Sequence, residues 1–237
     1  SAVSIEDSLI VNNTSVDNGA IYMSDLCNMT VSNTSFIQNS GDLSGVLMLM
    51  LNSTGDLRDC VFTNNSGIRS GGVAYLSRST LSTSRCQFFE NNAQFGGSFY
   101  GRAGAQLAIS DSIFANVTGT EDGGCFWLTE SSMVQMQGVV FENNSAIRNG
   151  GAVYLDQSSG VITNSTFRSN TAVNGGGAIF LVESDLDCNN VTFIDNASEV
   201  GGALICQGPL TLDITDGNFS SNSAQHGGAI ALGKVDR

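Results

Sequence analysis

Proline is almost missing from this sequence, with one residue in 237, and lysine occurs once, as Lys234. Charged residues make up only 13%, about half the usual share for a soluble domain. An ordinary ion-studded globular surface is therefore excluded, and something else must keep the folded chain in solution. Basic residues are scarcest, nine against 22 acidic ones, for a formal net charge of −13. A chain of that sign, without a basic stripe, repels phosphate backbones and anionic lipid surfaces, so no nucleic acid partner is expected. The longest apolar run is residues 46–51, far short of the roughly 20 residues of a membrane span, so none is expected; a targeting segment, if the protein has one, lies outside this sequence. No Cys-x-x-Cys or Cys/His grouping points to zinc. No stretch carries a capped 3.6-residue apolar period, so helices are not expected.

What is present is a repeat. Phenylalanine recurs at Phe36, Phe62, Phe88, Phe114, Phe141, Phe167, Phe193 and Phe219, at intervals of 26 residues with a single 27, and Ile10 extends the series backwards. Three residues after each stands asparagine, at Asn13, Asn39, Asn65, Asn91, Asn144, Asn170, Asn196 and Asn222, and only Val117 breaks the column. A glycine follows at Gly19, Gly45, Gly72, Gly97, Gly124, Gly151, Gly177, Gly202 and Gly228, preceded by a second glycine in seven units.

Each unit holds three short apolar stretches separated by Asn, Gly, Ser and Asp. So small a unit cannot close a core alone, but stacked units can, each pairing with the next through parallel ladders. The pattern predicts an all-β, right-handed-type parallel β-helix of about nine coils, three strands per coil, roughly 43 Å long at strand spacing. Residues 1–237 read as one continuous domain, a segment of a longer solenoid or a unit that stacks end to end. The Asn column is expected to take a left-handed bend and to hydrogen-bond from coil to coil. The scarcity of proline fits, since proline cannot donate to a ladder.

The pairing of Phe193-x-x-Asn196 with Gly201-Gly202-Ala203-Leu204, and of Phe219-x-x-Asn222 with Gly227-Gly228-Ala229-Ile230, resembles the repeats of chlamydial polymorphic outer-membrane proteins and related β-helix surface proteins. The resemblance covers nearly the whole chain. It implies a surface passenger domain of adhesive character.

Alternation along the strand after the glycine places Phe126/Leu128, Val153/Leu155 and Ile179/Leu181 inside. The first and third positions, such as Val73/Tyr75, Cys125/Trp127 and Ala178/Phe180, are then placed outside. Tyr22, Tyr75, Tyr100, Trp127, Tyr154 and Phe180 would form an aromatic stripe on the rod, with Met48 filling the gap after Tyr22. Sugars or a neighbouring rod could pack on it, or a loop or second chain could cover it for stability alone.

Twelve Asn-x-Ser/Thr sequons occur. Eight are candidates for glycosylation, at Asn12, Asn33, Asn64, Asn116, Asn143, Asn164, Asn190 and Asn218, and glycans there would account for the solubility of so uncharged a chain. In an unmodified bacterial protein the same residues would serve as turn and ladder asparagines. Cys60 and Cys86 share a column in successive coils, close enough for a disulfide, and two buried thiols are the alternative. Cys188 and Cys206 read inward in adjacent units, while Cys27 and Cys125 have no obvious partners.

The acids fall in separate columns, and His226 at a glycine corner has no nucleophile beside it. No catalytic or metal-binding residues are therefore assigned and no cofactor is expected; the short acid column Asp187/Asp213 is where calcium would sit if the chain took it. Three functions follow, in order. The first is a glycosylated, non-catalytic, structural and adhesive rod of a cell surface or extracellular filament, associating with itself, neighbouring rods or glycans. The second is a bacterial adhesin passenger domain, and the third a polysaccharide lyase or hydrolase on the same scaffold.

Overall fold

The computed structural model describes residues 1–233, so Lys234 lies outside the described residues. Every element among them is a strand, and every pairing between strands is parallel. Three nine-stranded sheets run the length of a β-solenoid of about nine turns. The first carries the longest strands, from Ala2–Glu6 through Thr80–Ser84 to Leu212–Thr215. The second carries the phenylalanines, from Leu9–Val11 to Asn218–Ser220. The third follows the glycines, from Ile21–Met23 to Ile230–Leu232. A fourth sheet of six strands, from Ser40–Gly41 to Thr171–Ala172 and mostly of two residues, lies between the second and third. The three stretches expected per coil thus become four in most coils. The extra pairing begins directly after the ladder asparagine, where the run is too short and polar to be read as a strand.

Register is one residue per residue. Phe141 pairs with Phe167 and Phe167 with Phe193. The eight rings form one continuous stack, with centroids 4.3 to 5.1 Å apart and planes within 12° of parallel. Phe36 through Phe193 are wholly buried. Aliphatic residues of the first and third sheets pack around them into one core.

Inside that core runs a second spine. Asn170 shows its wiring: its N–H and Nδ2 both donate to Oδ1 of Asn196, 3.0 Å away, and Nδ2 also reaches the carbonyl of Phe141 at 3.1 Å. The same bonds link Asn13 to Asn39, Asn65 and Asn91, and Asn144 through Asn170 and Asn196 to Asn222. Six of the eight are fully buried; Asn13 is exposed and Asn222 half-buried. At the gap, Val117 donates its N–H to Asn144 but offers no side-chain acceptor to Asn91.

None of these asparagines is left-handed, which corrects the sequence-based expectation. The left-handed residues stand one position earlier, at Asn12, Asn64, Asn116 and Asn143, and three before the phenylalanine, at Asn33, Asn164 and Asn190, with φ of 47 to 57°. The bend turns the preceding side chain outward, so that the ladder amide can point in at the carbonyls.

The two glycines of each pair do different work. The first is left-handed, with φ of +64° at Gly150. The second stacks on its own kind: a Cβ on Gly151 would lie 2.0 Å from the carbonyl oxygen of Gly177. Spacing in this column is uneven, 25 residues from Gly72 to Gly97 and 27 from Gly97 to Gly124. The corners absorb the difference, and one register shift between Ala93 and Phe95 records it.

Candidate functional site

Five of the six stripe aromatics, Tyr75 to Phe180, lie side by side on the outer face of the third sheet, and Tyr22 stands beyond Met48. Tyr75 pairs with Tyr100, Tyr100 with Trp127, Trp127 with Tyr154 and Tyr154 with Phe180. Tyr75 and Tyr100 stack within 8° and Tyr154 and Phe180 within 4°, while Trp127 stands edge-on to both neighbours. The stripe is not an open surface, and here the expectation needs correcting. Tyr22 is 54% exposed, but Tyr75 and Phe180 keep only 7% and 5% of their surface, Met48 is buried too, and Tyr100, Trp127 and Tyr154 are half-buried.

The cover is the chain's own corner before the glycines. Phe95 stands against the Trp127 ring at 4.0 Å, and Val200 packs with Phe180 and Ile205 into a small second core. Beside it, Asp122 is nearly buried, accepting from the Asn149 backbone and side chain and from Arg148 at 2.5 Å. The first position after the glycine, placed outside by alternation, is fully buried at Val73, Ser98, Cys125, Ala152 and Ala178. Alternation holds only within a strand, and these residues still belong to the corner.

The eight sequon asparagines singled out above are all exposed at the rod's corners and edges. Asn190 Nδ2 donates to Oδ1 of Asn164, and Asn33 Nδ2 to Asp7, so this outer column also bonds from coil to coil.

All six cysteines are free thiols. Cys60 and Cys86 are buried one above the other, each with its Sγ toward backbone carbonyls; the hydrogen bond they share, and then burial, push Cys86 up. Burial likewise pushes Cys188 up to about 12 and Cys206 to about 11. Cys27 alone is half-buried. A thiol-specific reagent at pH 8 is therefore expected to modify about one cysteine in the native protein and the remaining five only in denaturant. A total of four in denaturant would mean that Cys60 and Cys86 are bonded.

The first sheet presents its unpartnered outer face to solvent, a surface that alternation alone does not single out. It bears hydroxyl and carboxamide groups such as Thr80, Ser82, Ser84, Gln135 and Gln137. Two depressions mark it, of about 630 Å³ over Ser82 to Thr163 and about 460 Å³ around Arg78. Asp187 and Asp213 are register neighbours on this face, and Asp185 accepts the Thr211 N–H at 2.6 Å. Among the described residues no group of three or more His, Cys, Asp or Glu side chains is placed to hold a metal ion. Nor is any helix among them long and apolar enough to cross a membrane.

The fold and its spines define the class, a parallel β-helix of solenoid type. Residues 1–114 match the family model for the right handed beta helix region. Residues 138–156 and 164–181 match the Chlamydia polymorphic membrane protein repeat, so the chain carries β-helix repeats of the polymorphic outer-membrane protein kind. Comparison with curated proteins and with solved structures gives no significant match.

Proposed function

We propose that the chain is a non-catalytic rod displayed at a cell surface, the adhesive passenger portion of a polymorphic-membrane-protein-like surface protein. The observation that carries this reading is the pair of repeat matches at 138–156 and 164–181, embedded in coils that share one register. Each matched segment runs along most of one coil, so the likeness is to the shaft itself and not to a graft on it. The arrangement of charge supports it: six of the seven described arginines are tied to carboxylates along the shaft. Partners then meet an extended lateral surface, through glycans or a neighbouring rod.

The test is retention of the purified, fluorescently labelled chain on cultured animal cells. Saturable retention is expected, competed by unlabelled chain. No retention above that of an unrelated rod-shaped protein would sink the adhesive reading, and turnover of a uronic-acid polymer would move the chain among the enzymes.

Exposure of all eight candidate sequons favours one variant of this reading, a glycosylated rod. Intact mass of the natively produced protein, before and after enzymatic deglycosylation, decides it; an unchanged mass leaves the bare form.

A further inference from the structure

We propose that the outer face of the first sheet, from Arg78 across the strand Thr80–Ser84 to Arg85, binds an acidic oligosaccharide, a polyhydroxylated chain bearing carboxylate or sulfate groups. The proposal rests on the adhesive reading and names its ligand class.

Arg78 is the starting observation. Of the seven arginines among the described residues, six pair with Asp or Glu, and Arg78 does not. It is exposed, and its φ of 50° places it at the left-handed corner that leads into the strand Thr80–Ser84. An unpaired guanidinium is conspicuous in a protein of net charge −13. The depression around it is lined by neutral hydrogen-bonding groups, among them Asn52, Thr54, Thr80 and Gln106.

From there the strand carries Thr80, Ser82 and Ser84 outward in a row, spanning roughly 13 Å between its ends. Ser82 and Ser84 open the second depression, which is bounded by Arg58 and Arg85 and, two coils on, by Gln135 and Gln137. Hydroxyls and carboxamides line it together with the small apolar side chains of Ala108 and Val161, and its one carboxylate, Asp56, is the partner of Arg58. Arg85 is held by both oxygens of Asp59, at 2.7 and 2.8 Å, and Arg58 by Asp56. Their charges are thus compensated, and Arg78 supplies the uncompensated one.

The ligand is read from this chemistry. One free guanidinium beside a field of hydroxyls and carboxamides suits a ligand that is mostly hydroxyl with sparse negative charge. A bare inorganic anion would use Arg78 and leave the strand idle. The distribution of charge agrees. All seven described arginines fall within residues 43–168, against nine acids there, whereas residues 1–42 hold five acids and residues 169–233 seven acids, with no arginine or lysine in either. An anionic chain therefore meets least repulsion in the sector where both depressions lie.

The experiment is an equilibrium titration of the whole chain with a tetrasaccharide of alternating uronic acid and hexosamine, in sulfated, unsulfated and carboxyl-reduced unsulfated forms. Binding is expected for a charged form, weakening as salt rises, and none for the carboxyl-reduced one; the sulfated and unsulfated arms show which anion is read. Arg78→Gln should weaken binding at least about tenfold, the loss of one charge-assisted hydrogen bond, and Ser82→Glu should do the same by repulsion at mid-face. Both replace exposed or half-exposed side chains and should leave the thermal midpoint in place. Arg168→Gln, on another sheet, should bind as the parent does. No binding of any charged form, or equal binding by parent and both variants, overturns the proposal. Cell retention of Arg78→Gln separates the two readings: undiminished retention removes this ligand and leaves adhesion standing, whereas no retention of the parent removes adhesion itself.

Discussion

Gly151→Ala should cost about 3 kcal/mol of stability or more, among the largest effects expected of any single methyl group in this molecule. The added Cβ would sit 2.0 Å from the carbonyl oxygen of Gly177 and 2.5 Å from that of Thr171, both backbone atoms of the next coil. No rotamer change relieves a clash with backbone, so the coils on either side must separate. Coils of a solenoid interact mainly with their neighbours. The lesion should therefore split one urea transition into two, and not merely shift it. Gly104→Ala is the control. That glycine is left-handed at φ +78°, yet nothing lies within 4 Å of its would-be Cβ. Only the backbone penalty of about 1 kcal/mol applies there. Equal urea midpoints for the two variants would show that close stacking at the glycine column is not what requires glycine.

Asn170→Leu keeps the branched shape, adds some bulk and removes the wiring. Oδ1 of Asn170 accepts both the N–H and the Nδ2 of Asn144, at 3.1 and 2.9 Å, and its own Nδ2 satisfies Phe141. All three groups are buried; each would lose this partner, and Asn144 Nδ2 keeps a second one, the carbonyl of Phe114. At about 1 to 3 kcal/mol for each buried unsatisfied group, the loss should come to roughly 3 to 5 kcal/mol, allowing for partial relaxation. Val117→Asn is the reciprocal experiment. It would supply Asn91 with the missing acceptor and join the two ladders, which end at Asn91 and begin at Asn144. A gain of about 1 kcal/mol in urea unfolding is expected. If Asn170→Leu proves neutral, or Val117→Asn destabilises by as much as Asn170→Leu does, the ladder is a consequence of the stack and not one of its supports.

The vertical columns were legible from spacing alone, since a near-constant interval of 26 residues leaves one way to superimpose the units. That gives the phenylalanine stack, the line of asparagines and the place of the glycines without reference to any contact. The corners were not legible. Between Gly72 and Gly124 the interval shifts from 25 to 27 residues, and such slack hides where one strand ends and alternation must be restarted. Hence alternation points Val73 and Ala152 outward, yet both are fully buried. The covering of Tyr75 and Phe180 escaped for the same reason, since the residues that do it, such as Val200, sit in the corner and follow no column of their own. The depressions beside Arg78 and Ser82 depend on differences in side-chain length between neighbouring coils, which a repeat pattern averages away.

Because nearly every coil hands the next the same ring, the same amide and the same bare glycine, the shaft can be lengthened without redesign. Duplicating a stretch of about 26 residues between two equivalent corners adds one storey of roughly 4.8 Å and repeats every joint above and below it. Reach would then be a heritable quantity that changes in whole steps. A lineage could move a binding face nearer to or farther from its anchorage by unequal recombination within the gene, with no compensating substitution elsewhere.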